Sequence, residues 1–184
     1  KRRFDYCIID EASQITVPAA LGPLHCCDRF VLVGDSYQLP PLVMNVEARD
    51  MGLGQSLFYQ LSRKHPDAVY MLESQYRMNA EIMFICNTLV YNNKLRCGNE
   101  EVARAKLHVE NLDFVPEGWL REACRPSRSV VLFNTHEAAL LEDVTRQNVH
   151  NAGEAAMVTK IVAALTKTCG VAIRSIGVMS PYRA

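Results

Sequence analysis

Two short runs constrain the fold of this chain more than anything else in it. Phe4–Asp10 reads FDYCIID and Phe30–Gly34 reads FVLVG. Both are nearly continuous in apolar residues, and both break off into acid, Asp10-Glu11 after the first and Asp35 after the second. A strand with one face in water alternates apolar and polar side chains; a strand covered on both faces does not. Val69–Leu72, Val130–Phe133 and Ile176–Met179 have the same character. Helical patterns lie between these runs, over Ser56–Lys64, Asn79–Tyr91 and Glu154–Thr168. In the last, Ala155, Val158, Ile161, Val162 and Leu165 recur at three- and four-residue spacing, which marks one helix face. Asn151 stands where a capping box wants its N-cap, and Gly170 is a stop signal. The alternation predicts an α/β fold with a parallel sheet and right-handed crossovers.

The chain has 184 residues, enough for one domain or for parts of two. A hinge is predicted near His65-Pro66-Asp67, dividing it into residues 1–66 and 67–184. The stretch 98–128, with Pro116, Gly118 and Pro126, reads as a loop-rich insertion, and the polar stretch His136–Asn151 as a mobile loop. The first residue is Lys1, not Met, and a strand follows almost at once, as in an excised piece of something longer. Hydrophobic residues make up 49% of the chain, enough for a true core, and charged residues 22%, too ordinary a mixture for disorder. Twenty basic and twenty acidic residues cancel, so no overall field points to nucleic acid or membrane, while a local basic groove stays open. No run approaches the ~20 apolar residues of a membrane span. The seven cysteines are odd in number and include no C-x-x-C pair. They predict a reduced, intracellular protein with buried thiols rather than a disulfide framework or a zinc site.

The strand ends carry the chemistry. In open α/β sheets ligands bind beyond the carboxyl ends of the strands. A carboxylate there, Asp10, can hold Mg²⁺ directly or through water. A second beside it, Glu11, can orient and deprotonate an attacking water. From the dipeptide alone the favoured reading is the N-cap of a following helix, which an Asp after a strand often forms; the next strand changes that. After the second strand come Gly34, which permits a tight turn, then Asp35 and Gln38 at the same predicted edge. A glutamine amide can donate to a terminal phosphate and accept from a water at once. The competing reading is an Asx turn closed by Pro40-Pro41. Beyond the run Val69–Leu72 lies SQYRM, in which Arg77 can grip phosphate oxygens bidentately or can make a surface salt bridge. Ser180, Pro181, Tyr182 and Arg183 form a further strand-end turn.

Taken in order, these residues resemble the superfamily 1 helicases of the Upf-like group. DEAS (Asp10–Ser13) matches the Walker B motif, and VGDSYQLPP (Val33–Pro41) the glutamine-bearing motif III. QYRM (Gln75–Met78) matches the arginine motif that opens the second RecA-like domain, and IGVMSPYRA (Ile176–Ala184) a later strand-end motif. Residues between the motifs are similar to the replicative DNA helicase/nuclease branch: LGPL (Leu21–Leu24), QLPPLV (Gln38–Val43), Glu47-Ala48-Arg49, SLF (Ser56–Phe58), YNNKL (Tyr91–Leu95) and Cys97-Gly98. The resemblance is dense over Phe4–Val102 and returns at Glu154–Arg183; it is thin from Ala103 to Asn151, where Trp119 and Cys124 match no motif.

The resemblance implies a P-loop NTPase fold, with parts of two tandem RecA-like domains in this chain. It implies ATP and Mg²⁺ as cofactors and a 5′-to-3′ helicase on single-stranded DNA. It also implies a nuclease and an iron–sulfur cluster elsewhere in the parent, work in Okazaki fragment maturation and repair, and a location in the nucleus, with the mitochondrion as a second candidate. Single-strand binding protein and replication factors are the implied partners, and no membrane. Carried over residue by residue, Asp10 would hold Mg²⁺, Glu11 would activate the water, and Gln38 would sense the γ-phosphate with Asp35 beside it. Arg77 would be an arginine finger, Gln75 would lie on the nucleotide side, and Tyr76 would belong to the core. Pro40, Pro41, Ser180, Tyr182 and Arg183 would lie near single-stranded nucleic acid. No G-x-x-x-x-G-K-[ST] occurs in the chain; in the family that phosphate cradle lies upstream of Walker B. The chain alone is therefore expected not to hydrolyse ATP. Two other readings stay open: an RNA helicase with the same four motifs, and a non-enzymatic scaffold for nucleic acid or protein.

Overall fold

The computed structural model describes residues 2–136, 143–144 and 149–181. The chain divides into two compact units, Lys1–Leu72 and Glu73–Ala184.

In the first unit, β1 (Phe4–Ile9) and β2 (Cys27–Leu32) pair in parallel, with Phe4 opposite Cys27 and Ile9 opposite Leu32. The connection between them is α1 (Val17–Leu24). Pro18 sits in its first turn, where backbone N–H groups have no helical acceptor and a proline loses nothing. Beyond β2 lie a short α2 (Val46–Ala48) and α3 (Leu57–Lys64). Ser56, 2% exposed, caps α3 by accepting from the Tyr59 N–H at 3.1 Å.

In the second unit, β3 (Ser74–Gln75) and β4 (Arg96–Cys97) pair in parallel around α4 (Ala80–Leu89). Asn79 caps α4, its side-chain oxygen accepting from the Ile82 N–H at 3.0 Å. Next come α5 (Glu100–Arg104) and α6 (Trp119–Ala123), then an antiparallel pair, β5 (Asp143–Val144) and β6 (Val149–His150). Last is α7 (Ala152–Ala163), which continues through a π turn over Ala164–Thr168. Asn151 caps α7 by accepting from the Glu154 N–H at 3.0 Å, and Gly170 ends the segment with φ 71°.

Three expected strands are not strands here. Val69–Leu72, Val130–Phe133 and Ile176–Met179 have no sheet pairing. A strand is stabilised by a neighbour's backbone, and among the described residues these runs have no neighbouring strand. Many of their side chains face solvent, with Tyr70 88%, Leu132 91% and Met179 96% exposed, although Ile176 packs against the core of the second unit and Phe133 is half-buried. The predicted insertion also changes meaning. Residues 98–128 are rich in turns, yet Val115 and Cys124 are buried in the core of the second unit with Ala164, Cys169 and Val171. Trp119 meets Phe133 edge to face, ring centroids 5.7 Å apart. Burial pushes the Cys124 thiol up to about 11 and raises that of Cys169, which disfavours the thiolate form of both. The expected loop at His136–Asn151 falls largely outside the described residues; the part that is described includes β5 and β6. Among the described residues no helix is long and apolar enough to cross a membrane.

Candidate functional site

The register of β1 and β2 brings their carboxyl ends out together. The Val33 N–H donates to the Ile9 carbonyl at 2.8 Å, and the Ala12 N–H returns to the Val33 carbonyl at 2.8 Å. The segments Asp10–Ser13 and Gly34–Gln38 therefore leave the sheet side by side, where a parallel sheet receives its ligand.

Glu11 turns the chain. Its backbone is left-handed, φ 50° and ψ 34°, which costs a residue with a Cβ about 1–2 kcal/mol. The turn ends β1 and starts the 3₁₀ segment Ala12–Gln14. Strain of this kind persists where surrounding structure imposes it, and it clusters at working sites. Glu11 makes no side-chain capping bond, and α1 begins only after Thr16, which weighs against the N-cap reading of the dipeptide. The Glu11 Oε2 accepts from Gln14 Nε2 at 3.1 Å, and Asp10 Oδ1 accepts from the Glu11 N–H at 2.9 Å. Both carboxylates are exposed.

Gly34 is needed for a reason the sequence did not disclose. A Cβ there would lie 2.9 Å from the Ser13 backbone nitrogen and 3.3 Å from that of Ala12. The close approach of two backbones, more than a tight turn, requires the glycine. Gly34→Ala in the full-length protein is expected to cost about 1–3 kcal/mol as overpacking. A lowered thermal melting midpoint checks this; an unchanged midpoint would contradict the close approach.

Asp35 sits inside the motif III turn. Its N–H donates to the hydroxyl of buried Ser13 at 3.3 Å, Oδ1 accepts from the Tyr37 N–H at 2.9 Å, and Oδ2 accepts from Gln38 Nε2 at 2.8 Å. The Asx turn weighed from sequence is thus present, and it includes the candidate Gln38. Ser13 was not among the sequence candidates; its signal was a small hydroxyl residue directly after Asp10-Glu11-Ala12. Pro40 is exposed, whereas Pro41 is buried and offers no surface to a nucleic acid in this unit.

In the second unit, Gln75 is fully engaged. Its Oε1 accepts from the N–H groups of Arg77 at 2.9 Å and Met78 at 2.7 Å. Its Nε2 donates to the Met78 carbonyl at 2.7 Å and lies 3.3 Å from Cys97 Sγ. The Gln75 amide thus folds the QYRM turn. Arg77 is exposed, and among the described residues its guanidinium has no carboxylate partner, unlike Arg96, which pairs with Glu73. Tyr76 is not a core residue: it is 67% exposed. Its ring lies over Gly98, where a Cβ would collide with it. Ser180 is exposed, and Tyr182 and Arg183 lie outside the described residues.

Among the described residues no cluster of three or more His, Cys, Asp or Glu could bind a metal by itself. Mg²⁺ asks less of a protein, since it keeps several waters and takes one or two carboxylates plus phosphate oxygens. Asp10 fits that demand as an exposed hard-oxygen donor at the strand end.

Comparison with known proteins places the chain in a family. An AAA domain family matches residues 53–184, and a second AAA domain family matches residues 1–46. A DNA replication ATP-dependent helicase/nuclease of Arabidopsis thaliana is 45% identical over 181 residues, covering 98% of this chain and 13% of the relative. One from Schizosaccharomyces pombe is 43% identical over 191 residues, covering 100% of this chain and 14% of the relative. The Homo sapiens protein is 40% identical over 194 residues, covering 100% and 18%. The chain spans less than a fifth of the length of these curated relatives. It belongs to the AAA-domain family of P-loop NTPases, and over nearly its whole length it is similar to the DNA replication ATP-dependent helicase/nucleases.

Proposed function

We propose that this chain is the middle of the ATP-driven motor in a DNA helicase/nuclease, acting on single-stranded DNA in replication and repair. The observation that carries the reading is the joint exit of Asp10-Glu11 and Gly34–Gln38 from two parallel strands in register. Residues 1–66 would then be the C-terminal half of one RecA-like domain, and 67–184 the N-terminal part of the next. The nuclease and any iron–sulfur cluster belong to other parts of the parent, which works in the nucleus with replication factors and single-strand binding protein.

The chemistry follows from the side chains. Asp10 would hold Mg²⁺, which when bound supplies positive charge against the phosphates. The Glu11 carboxylate takes the proton of the attacking water as a general base. The Gln38 amide orients that water and reports the terminal phosphate. Arg77 supplies a guanidinium, always charged and planar, to the phosphate oxygens. Its freedom from any described carboxylate keeps that charge available.

The test is ATP turnover by the full-length protein with single-stranded DNA and single-stranded RNA side by side. Stimulation by DNA is expected. Preference for RNA would move the protein to the RNA helicases of the group, and no turnover with either would make it a scaffold. The same assay on the 184-residue chain alone is expected to show no turnover, because it contains no Walker A sequence to cradle the phosphates. Turnover by the chain that Glu11→Gln abolishes would refute this.

A further inference from the structure

We propose that Asp35 is a positioning residue for Gln38, setting which end of its amide faces the reaction, rather than a ligand of the nucleotide. The inference rests on the proposed ATPase reading and assigns Asp35 a different task within it.

A glutamine amide carries an acceptor at one end and two donors at the other, in nearly identical shapes. Rotated by half a turn, Gln38 would exchange the group that accepts from water for the group that donates to phosphate. Something must distinguish the two orientations. Asp35 can, because an ionised carboxylate only accepts: it holds the Nε2 end, here at 2.8 Å, and repels the carbonyl end. The Gln38 Oε1, which has no hydrogen-bond partner among the described residues, is thereby directed away from Asp35.

Asp35 is itself fixed. Its second carboxylate oxygen accepts from the Tyr37 N–H, and its own N–H donates to the Ser13 hydroxyl. Ser13 is 4% exposed and lies two residues after Glu11. The absent Cβ of Gly34 lets the two turns touch, its position lying 2.9 Å from the Ser13 nitrogen. A continuous series of bonds therefore runs from the turn that carries Glu11, through Ser13 and Asp35, to the Gln38 amide. Both Asp35 oxygens serve this loop.

A double-mutant cycle on DNA-stimulated ATP turnover of the full-length protein tests the proposal. The variants are Asp35→Ala, Asp35→Asn, Gln38→Ala and the two double variants. Asn keeps the shape of Asp35 but can present a donor or an acceptor, so the orienting effect is lost. Each Asp35 variant is expected to lower kcat by about 10- to 100-fold, as a small misplacement of a reacting group can. KM for ATP is expected to stay within about twofold, because the interaction acts in the transition state. Each double variant is expected to be no slower than Gln38→Ala alone. If the losses multiply, Asp35 acts independently and the proposal is overturned while the ATPase reading stands. If Gln38→Ala keeps wild-type turnover, the assigned role of Gln38 is wrong, and the proposal falls with it. Should Asp35→Ala fail to fold, Asp35→Asn and its double variant make the same comparison.

Discussion

Glu11→Gln in the full-length protein is expected to lower DNA-stimulated ATP turnover by about 10²- to 10⁴-fold, the usual range for removing a general base. Nucleotide binding should survive. Gln has the length of Glu and retains a carbonyl that can accept from Gln14 Nε2, as Glu11 Oε2 now does. It also has the same Cβ, so the left-handed backbone is neither relieved nor worsened. What disappears is the ability to take a proton from water. Steady-state kcat, together with the Kd of a fluorescent ATP analogue, separates the two effects. A kcat within tenfold of wild type would show that Glu11 is not the base.

Arg77→Ala is expected to cost on the order of 10³-fold or more in kcat, the scale of an arginine finger in phosphoryl transfer. Arg77→Lys should recover little, since a point charge does not reproduce the planar fork. The structure makes this a clean experiment. The QYRM turn is folded by the Gln75 amide through backbone groups, including the Arg77 N–H, and the Arg77 guanidinium is not used in it. Both variants should therefore melt at the wild-type temperature. A fall in melting temperature that accounts for the lost activity would place Arg77 in the fold rather than in the chemistry.

How far the fold could be read from sequence depended on whether a signal was local. N-caps are local, and Asn151 performs the role its spacing suggested. The cores of β1 and β2 were visible because each apolar run has the other to pair with, although β2 begins at Cys27 rather than Phe30. Val69–Leu72, Val130–Phe133 and Ile176–Met179 carry the same composition without a neighbouring strand among the described residues, and composition cannot supply a hydrogen-bond partner. The stretch 98–128 misled in the other direction. Its prolines and glycine suggested a loop-rich insertion, while Val115 and Cys124 lie buried among residues forty or more positions later in the chain.

The site divides similarly. Asp10, Glu11, Asp35 and Gln38 stood out because polar residues follow directly on apolar runs, and the register of β1 and β2 brings those runs' ends to one edge, although the strands themselves are largely exposed rather than covered on both faces. Residues that act on other residues were hidden. Nothing local says that Ser13 is a hydrogen-bond acceptor for a residue 22 positions away, or that the Gln75 amide is consumed by its own turn. The exposure of Tyr76 was missed because an aromatic beside a strand ordinarily packs inward; here it rests on Gly98, a residue 22 positions later.

The left-handed backbone at Glu11 has a consequence for how this position can change. Asn or Gly would occupy that conformation more comfortably, so substitutions that relax the turn would make the protein more robust. Each would also remove the carboxylate. On the role proposed for Glu11, stability and chemistry pull this one codon in opposite directions, and selection for durability alone would remove the proposed base.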